Sequence, residues 1–193
     1  DTRKGSRANI SAHYDLGNDF YRLFLDETLT YSCGIFEHEE STLQDASLAK
    51  YDRICRKLVL TPSDHLLEIG TGWGGFALFA AERYGCRVTT TTISREQHDL
   101  AVERVRRAGL ADRVHVLFED YRDLRGTFDK LVSIEMIEAV GHQYLEAFFR
   151  ACSDRLKEDG MMVLQAITIT DRVFDRHKHH VDFIKRYIFP GSC

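Results

Sequence analysis

Leu66-Leu67-Glu68-Ile69 runs into Gly70-Thr71-Gly72-Trp73-Gly74-Gly75 and then Phe76-Ala77-Leu78-Phe79-Ala80-Ala81. This stretch reads as a strand, a glycine-rich turn and a helix, with an acid just before the first glycine. Such a turn lets backbone approach a ligand where a Cβ would clash, and it aims unpaired helix N–H groups at that ligand. The next strand distinguishes among the cofactors that use such turns. A dinucleotide site wants an Asp or Glu about 20 residues on, at the end of the second strand, for the ribose hydroxyls. Here the second strand, near Arg87 to Thr92, ends in Thr89-Thr90-Thr91-Thr92 with no acid. That weakens a nicotinamide-dinucleotide reading and favours S-adenosylmethionine.

Outward from this unit, short apolar runs alternate with amphipathic stretches. Strands are expected near 65–69, 87–92, 114–118, 130–134 and 161–168, and helices near 43–58, 74–84, 95–108, 142–156 and 173–187. A Ser41-x-x-Gln44 capping box is expected to open the first of these helices, and Ser94-x-x-Gln97 the third. Phe20, Leu23 and Phe24 share a helical face and suggest a short amphipathic helix at those residues. Alternating strands and helices imply a parallel α/β sheet, because parallel neighbours need a helix-length crossover. Ligands bind such sheets beyond the carboxyl ends of the strands. Residues 70–75, 92–97, 119–123 and 134–142 fall at those ends and should converge on one crevice.

Composition narrows the function classes. The chain has 193 residues, 44% of them hydrophobic, and a formal net charge of -4. With no long Lys/Arg run, nothing draws it to nucleic acid. Five cysteines (Cys33, Cys55, Cys86, Cys152, Cys193) lie scattered without a C-x-x-C pair, which suits reduced thiols in a cytoplasmic protein better than disulfides or zinc. His177-Lys178-His179-His180 has no second ligand cluster beside it, so no metal is expected. No apolar stretch approaches the ~18 residues of a membrane span. The chain begins at Asp1 rather than Met, as an excised fragment would.

Several segments, taken together and in order, resemble the cyclopropane-fatty-acyl-phospholipid synthase family, which includes the mycolic acid cyclopropane synthases. They are His13-Tyr14-Asp15-Leu16-Gly17-Asn18-Asp19-Phe20, Thr30-Tyr31-Ser32-Cys33-Gly34-Ile35-Phe36, Leu67-Glu68-Ile69-Gly70-Thr71-Gly72-Trp73-Gly74, Thr92-Ile93-Ser94-Arg95-Glu96-Gln97, Ser133 to His142, and Tyr187-Ile188-Phe189-Pro190-Gly191. The resemblance implies a Rossmann-like class I methyltransferase, with a parallel sheet covered by helices on both faces. Residues 1–60 would form an N-terminal helical lid segment and 61–193 the S-adenosylmethionine-binding core. Such a sheet has more strands than are countable here, so the C-terminal strands are expected to be missing.

The implied reaction transfers the cofactor methyl to a cis double bond of a lipid acyl chain, giving a cyclopropane or a methyl branch, with bound bicarbonate as base. Cys33, Ile134 and Glu138 match the bicarbonate site, Ile134 through its backbone. Glu138 would orient the anion and favour positive charge; the plainer alternative is a carboxylate at a helix start. Gln165 stands where many members carry His; it can donate a hydrogen bond but cannot take a proton. The family's bicarbonate-binding tyrosine lies beyond the last residue, so this chain alone is not expected to turn over. For the cofactor, Gly70, Gly72 and Gly74 match the methionine cradle, Glu68 orders the turn, and Tyr31 and Ser32 close it from the lid. Thr92 and Gln97 replace the absent acid. Asp120 and Tyr121 are placed for adenine, although Tyr121 and Trp73 could equally be packing residues.

The implied partner is an unsaturated phospholipid, reached by peripheral membrane contact. The basic stretch with Arg172, Arg176, Lys185 and Arg186 is either a solvated helix face or a headgroup contact. Three rival readings stand beside this one: a small-amine N-methyltransferase of the same family, a non-catalytic cofactor-binding fragment, and a dehydrogenase. Oligomeric state, a homodimer included, is left open.

Overall fold

In β1 (His65–Ile69) the apolar residues point alternately to the two sides of the sheet, and both sides are covered. β1 is the central strand of five, followed in the chain by β2 (Arg87–Thr92), β3 (Val114–Phe118), β4 (Phe128–Ile134) and β5 (Leu156–Gln165). The computed structural model describes residues 17–188. Its sheet has the order β3-β2-β1-β4-β5, with every pairing parallel. The order reverses between β1 and β4, which makes the space beyond their carboxyl ends the switch-point crevice.

Leu66, Val88, Val114 and Val132 face one side, against α2 (Leu43–Lys57), α3 (Gly75–Tyr84) and Val105 of α4 (Arg95–Arg107). Leu67, Ile69, Phe128 and Leu131 face the other, against Phe148 and Cys152 of α5 (Leu145–Arg155). Residues 43–58, grouped by sequence with the N-terminal segment, thus pack as part of the core. A third cluster joins Tyr21, Trp73 and Leu100 and seats α1 (Asn18–Arg22) on the glycine turn.

Several boundaries differ from the sequence expectation. The capping box of α2 is Thr42 with Asp45: Thr42 Oγ1 accepts from Asp45 N at 3.1 Å, and an Asp45 carboxylate oxygen accepts from Thr42 N at 3.0 Å. Ser41 instead accepts from His38 N. Two overlapping Ser/Thr-x-x-acid/amide patterns competed, and the pair with a charged acceptor took the helix end. α1 buries Tyr21, while Phe20, Leu23 and Phe24 stay exposed, because Trp73 offers Tyr21 a ring 4.6 Å away. A 3-10 turn, His142–Tyr144, precedes α5. β5 ends at Gln165, and a bulge separates Leu156, opposite Phe128, from Met161, opposite Lys130. The single helix expected over 173–187 is two pieces. α6 spans Asp171–His179, and a π-helical turn spans Ile184–Ile188, where Asp182 accepts from Lys185 N. His13 to Leu16, Phe189-Pro190-Gly191 and Cys193 lie outside the described residues.

Candidate active site

The glycine turn takes conformations that only glycine adopts cheaply: φ is +103° at Gly70, +52° at Gly72 and +85° at Gly74. The three glycines do different work. A Cβ on Gly70 would lie 3.3 Å from Met136, and one on Gly74 3.3 Å from Ala101, whereas at Gly72 it would enter open space. The space beside Gly72 is therefore open, whereas the absence of a Cβ at the other two permits close packing. Gly75, next in the run, is needed for the same steric reason, since its Cβ would lie 2.6 Å from Thr28 O and from the Tyr51 hydroxyl.

Glu68 reaches the turn through a relay of hydroxyls. Thr90 Oγ1 donates to Glu68 at 2.6 Å and lies 2.7 Å from Thr71 Oγ1. Glu68 is 2% exposed, and burial pushes its carboxyl up to about 8, opposed by the Thr90 hydrogen bond. A raised folded-state pKa contributes stability that is full below the ordinary carboxylate value and lost as pH rises through about 8. Glu68→Gln should therefore gain stability relative to wild type as pH rises from about 4.5 to about 8, by on the order of a few kcal/mol across the window. Urea denaturation at stepped pH reads this; parallel curves for the two proteins would sink it.

At the end of β2, Thr92 Oγ1 donates to Gln97 Oε1 at 3.0 Å and accepts from Ser94 N, while Ser94 Oγ accepts from Gln97 N. Thr92 and Gln97 are both buried. After β3, Asp120 receives Arg122 Nε at 2.8 Å and Nη2 at 2.6 Å. Tyr121 packs edge-on against Phe148, with centroids 5.5 Å apart. Trp73 is a packing residue: it is 2% exposed and donates Nε1–H to Asn18 Oδ1 at 2.6 Å. Arg104 ties the turn to the N-terminal segment, donating to Trp73 O at 2.7 Å, Thr28 O at 3.0 Å and Glu27 O at 3.1 Å.

Across the crevice, β4 ends in two glutamates. Glu135 has φ +47°, a left-handed conformation that costs a non-glycine residue roughly 1 kcal/mol or more. Its Oε1 accepts from Cys33 N at 3.0 Å and from Gln165 Nε2 at 2.8 Å. Gln165 Nε2 also lies 3.3 Å from Cys33 O. Glu138, on the 3-10 turn Ile137–Ala139, accepts from Ile167 N at 2.5 Å. The structure thus brings Cys33 and Gln165 together around Glu135, while Glu138 is tied to the segment just after Gln165 through Ile167 N. Ile134 lies beside Gln165 as its ladder partner, with its side chain packed on the first core cluster. The backbone N–H that meets Glu138 is that of Ile167.

Two residues that sequence reasoning passed over complete the site. Glu135 follows a strand directly at a ligand-bearing end, which was a usable signal. Lys50 lies on the buried stripe Ala46, Ser47, Lys50, Ile54 of α2, so helical spacing marked it, although lysine is ordinarily exposed. Its ammonium sits 2.5 Å from Ser32 Oγ. Tyr31, beside Ser32, stacks edge-on with Tyr21 and Phe24. Among the described residues, no three His, Cys, Asp or Glu side chains cluster as a metal site.

The family described as mycolic acid cyclopropane synthetase matches this chain over residues 1–193. A probable fatty acid methyltransferase of Pseudomonas putida is 42% identical over 186 residues, 94% of this chain and 47% of that protein. The cyclopropane-fatty-acyl-phospholipid synthase of Escherichia coli K12 is 41% identical over 182 residues, 94% of this chain and 45% of that protein. The chain thus spans about half the length of these curated relatives. The crystal structure of the mycolic acid cyclopropane synthase CmaA1 complexed with SAH and CTAB superposes with a TM-score of 0.88 at 37% identity, covering 96% of this chain and 68% of that one. The fold is that of the class I methyltransferases.

Proposed function

The chain belongs to the mycolic acid cyclopropane synthetase family, and from that premise we propose that it holds the S-adenosylmethionine site and reaction centre of an enzyme that alkylates a double bond in an unsaturated lipid acyl chain. One observation carries the reading: a positive-φ glycine turn and two carboxylates, Glu135 and Glu138, face one crevice beneath Tyr31-Ser32-Cys33.

The residues present fit the cofactor. Gly72 leaves the open space a Cβ would fill. With the Gln97 carbonyl occupied by Thr92, its amide nitrogen remains to meet a ribose hydroxyl where a dinucleotide site would place an acid. The bound cofactor supplies an electrophilic methyl group on a sulfonium. An alkene is a weak nucleophile, so Tyr31 and the wall around it must hold it in place and exclude water. Addition of the methyl leaves positive charge on the acyl chain, and the Glu135 and Glu138 carboxylates provide negative charge beside it. A proton then leaves the alkylated chain.

Bicarbonate, expected from the family resemblance, does not fit this donor set. The Cys33 N–H and the Gln165 amide already serve the Glu135 carboxylate, and the Ile167 N–H serves Glu138. A second anion would have to displace a protein carboxylate. Glu135 is therefore the proton acceptor that the chain itself supplies.

Exposed apolar side chains flank the crevice, with Phe20 and Phe24 before Tyr31 and with Ile167, Ile169 and Phe174 after β5. They suit an acyl chain. α6 and the turn after it add Arg172, Arg176, Lys185 and Arg186, a charge pattern for docking on anionic headgroups. Among the described residues no helix is long and apolar enough to cross a membrane.

The test incubates the full-length protein with methyl-labelled S-adenosylmethionine and unsaturated phospholipid vesicles, with and without bicarbonate. The expected result is a labelled acyl chain at equal rates in both buffers. A folded, cofactor-binding protein that leaves lipid unlabelled would refute the lipid substrate and turn attention to soluble amines. Labelling that needs bicarbonate would refute the role of Glu135.

A further inference from the structure

Lys50 is 1% exposed, yet no carboxylate among the described residues lies within ion-pair distance of its ammonium. The hydrogen bond it makes is to Ser32 Oγ at 2.5 Å. Asp26, Glu135 and the Cys33 thiol face it only through their fields, and the Tyr51 ring centroid lies 5.3 Å away. Both carboxylates have donors of their own. Asp26 accepts from Thr28 N and Oγ1, and Glu135 accepts from Cys33 N and Gln165. A buried cation is costly unless its charge is put to use.

An ammonium has three donors and no acceptor. Ser32 Oγ must therefore accept from Lys50, and its own proton has to point elsewhere. Ser32 is half-buried on the wall of the crevice between Tyr31 and Cys33. It presents a hydroxyl donor with a positive charge behind it, an arrangement suited to an anionic acceptor. An alkene offers no such group, whereas S-adenosylmethionine has one anionic group, the carboxylate of its methionine half.

We propose that Lys50 is a positioning residue that fixes the Ser32 hydroxyl as a donor into the crevice, where the pair receives the carboxylate of S-adenosylmethionine. This rests on the cofactor reading above and specifies which end of the cofactor the N-terminal wall holds. A pH dependence follows from the same geometry. Burial pulls Lys50 down to about 8, partly offset by Glu135, Cys33 and Asp26. Once neutral, its amine can accept from Ser32, which turns the hydroxyl proton away from the crevice. Cofactor affinity should therefore fall as pH rises through about 8.

The test measures equilibrium binding of S-adenosylmethionine and of its decarboxylated analogue to the full-length wild type, Lys50→Met, Ser32→Ala and the double variant. Each single change is expected to weaken S-adenosylmethionine by about tenfold or more, the loss of a charge-assisted hydrogen bond. Binding of the decarboxylated analogue should be unchanged, and the double variant no worse than either single. The fall in affinity above pH 8 should vanish in Lys50→Met. Thermal midpoints should hold, since an apolar residue of similar volume replaces a buried charge without loss. Equal weakening of both ligands, additive single effects, or unchanged affinity would each overturn the proposal. The small Ser32→Ala change, whose loss should be confined to the ligand that bears the carboxylate, keeps it testable if Lys50→Met fails to fold. A wild type that binds neither ligand would instead refute the cofactor reading.

Discussion

Glu138→Gln in the full-length protein is expected to lower the rate of acyl-chain labelling by roughly 10²- to 10⁴-fold, the range for removing a group that acts only on transition-state charge or proton transfer. The substitution is nearly isosteric. A glutamine oxygen can still accept from Ile167 N, which Glu138 meets at 2.5 Å, so the link between the 3-10 turn and the segment after β5 should survive. What is lost is the negative charge beside the developing cation. The loss should therefore appear in kcat, with the dissociation constant for S-adenosylmethionine within about threefold of wild type, since uniform binding is untouched. Single-turnover labelling and cofactor titration separate the two. A variant that keeps wild-type kcat would reduce Glu138 to a structural carboxylate at the start of a turn.

The largest effect on stability is expected from Trp73→Ala. Trp73 lies at the junction of the glycine turn, α1 and α4, 2% exposed, with its ring 4.6 Å from that of Tyr21. It also donates to Asn18 at 2.6 Å. Truncating a buried tryptophan costs about 3–5 kcal/mol, which for a domain of this size lowers the thermal midpoint by about 10 °C. The damage should be directional. Asn18 and Tyr21 lose their partner, so the segment bearing Tyr31 and Ser32 should become protease-sensitive before the sheet does. Limited proteolysis beside thermal denaturation checks this. A midpoint within about 2 °C of wild type would contradict the claim that Trp73 anchors the N-terminal wall.

Much of the scaffold was legible in the sequence because local rules govern it. The runs at 65–69, 87–92 and 114–118, apolar or β-branched, became strands with those boundaries, since each run is short, flanked by turn residues and matched to the two-sided burial of a parallel sheet. Where two local solutions were nearly equal, the reading slipped. Ser41 and Thr42 both begin a capping pattern, and a one-residue difference depends on which acceptor is charged. The face of α1 could not be read from α1 at all, because the ring that Tyr21 packs against comes from residue 73.

The reaction centre shows the same division more sharply. The sequence placed Glu138, Gln165 and Cys33 in one site only through family resemblance, and Glu135 was marked only by its place directly after a strand, with no sign of its partners. That carboxylate gains its place from the Cys33 N–H, 102 residues earlier, and from the Gln165 amide, 30 residues later. Lys50 could be seen to lie on a buried stripe, but not that its partner would be the Ser32 hydroxyl.

By itself, then, the sequence determined the strand–glycine turn–helix unit, the parallel sheet and the identity of the crevice. Backbone conformation, hydrophobic periodicity and the steric demands of glycine act over a few residues and leave their mark in order. Only the tertiary structure decided which carboxylates meet which donors, that Ile167 N serves Glu138, and how a buried lysine bears on a serine. Those choices depend on hydrogen bonds closed between segments far apart in the chain, and a linear pattern carries no record of the distances between them.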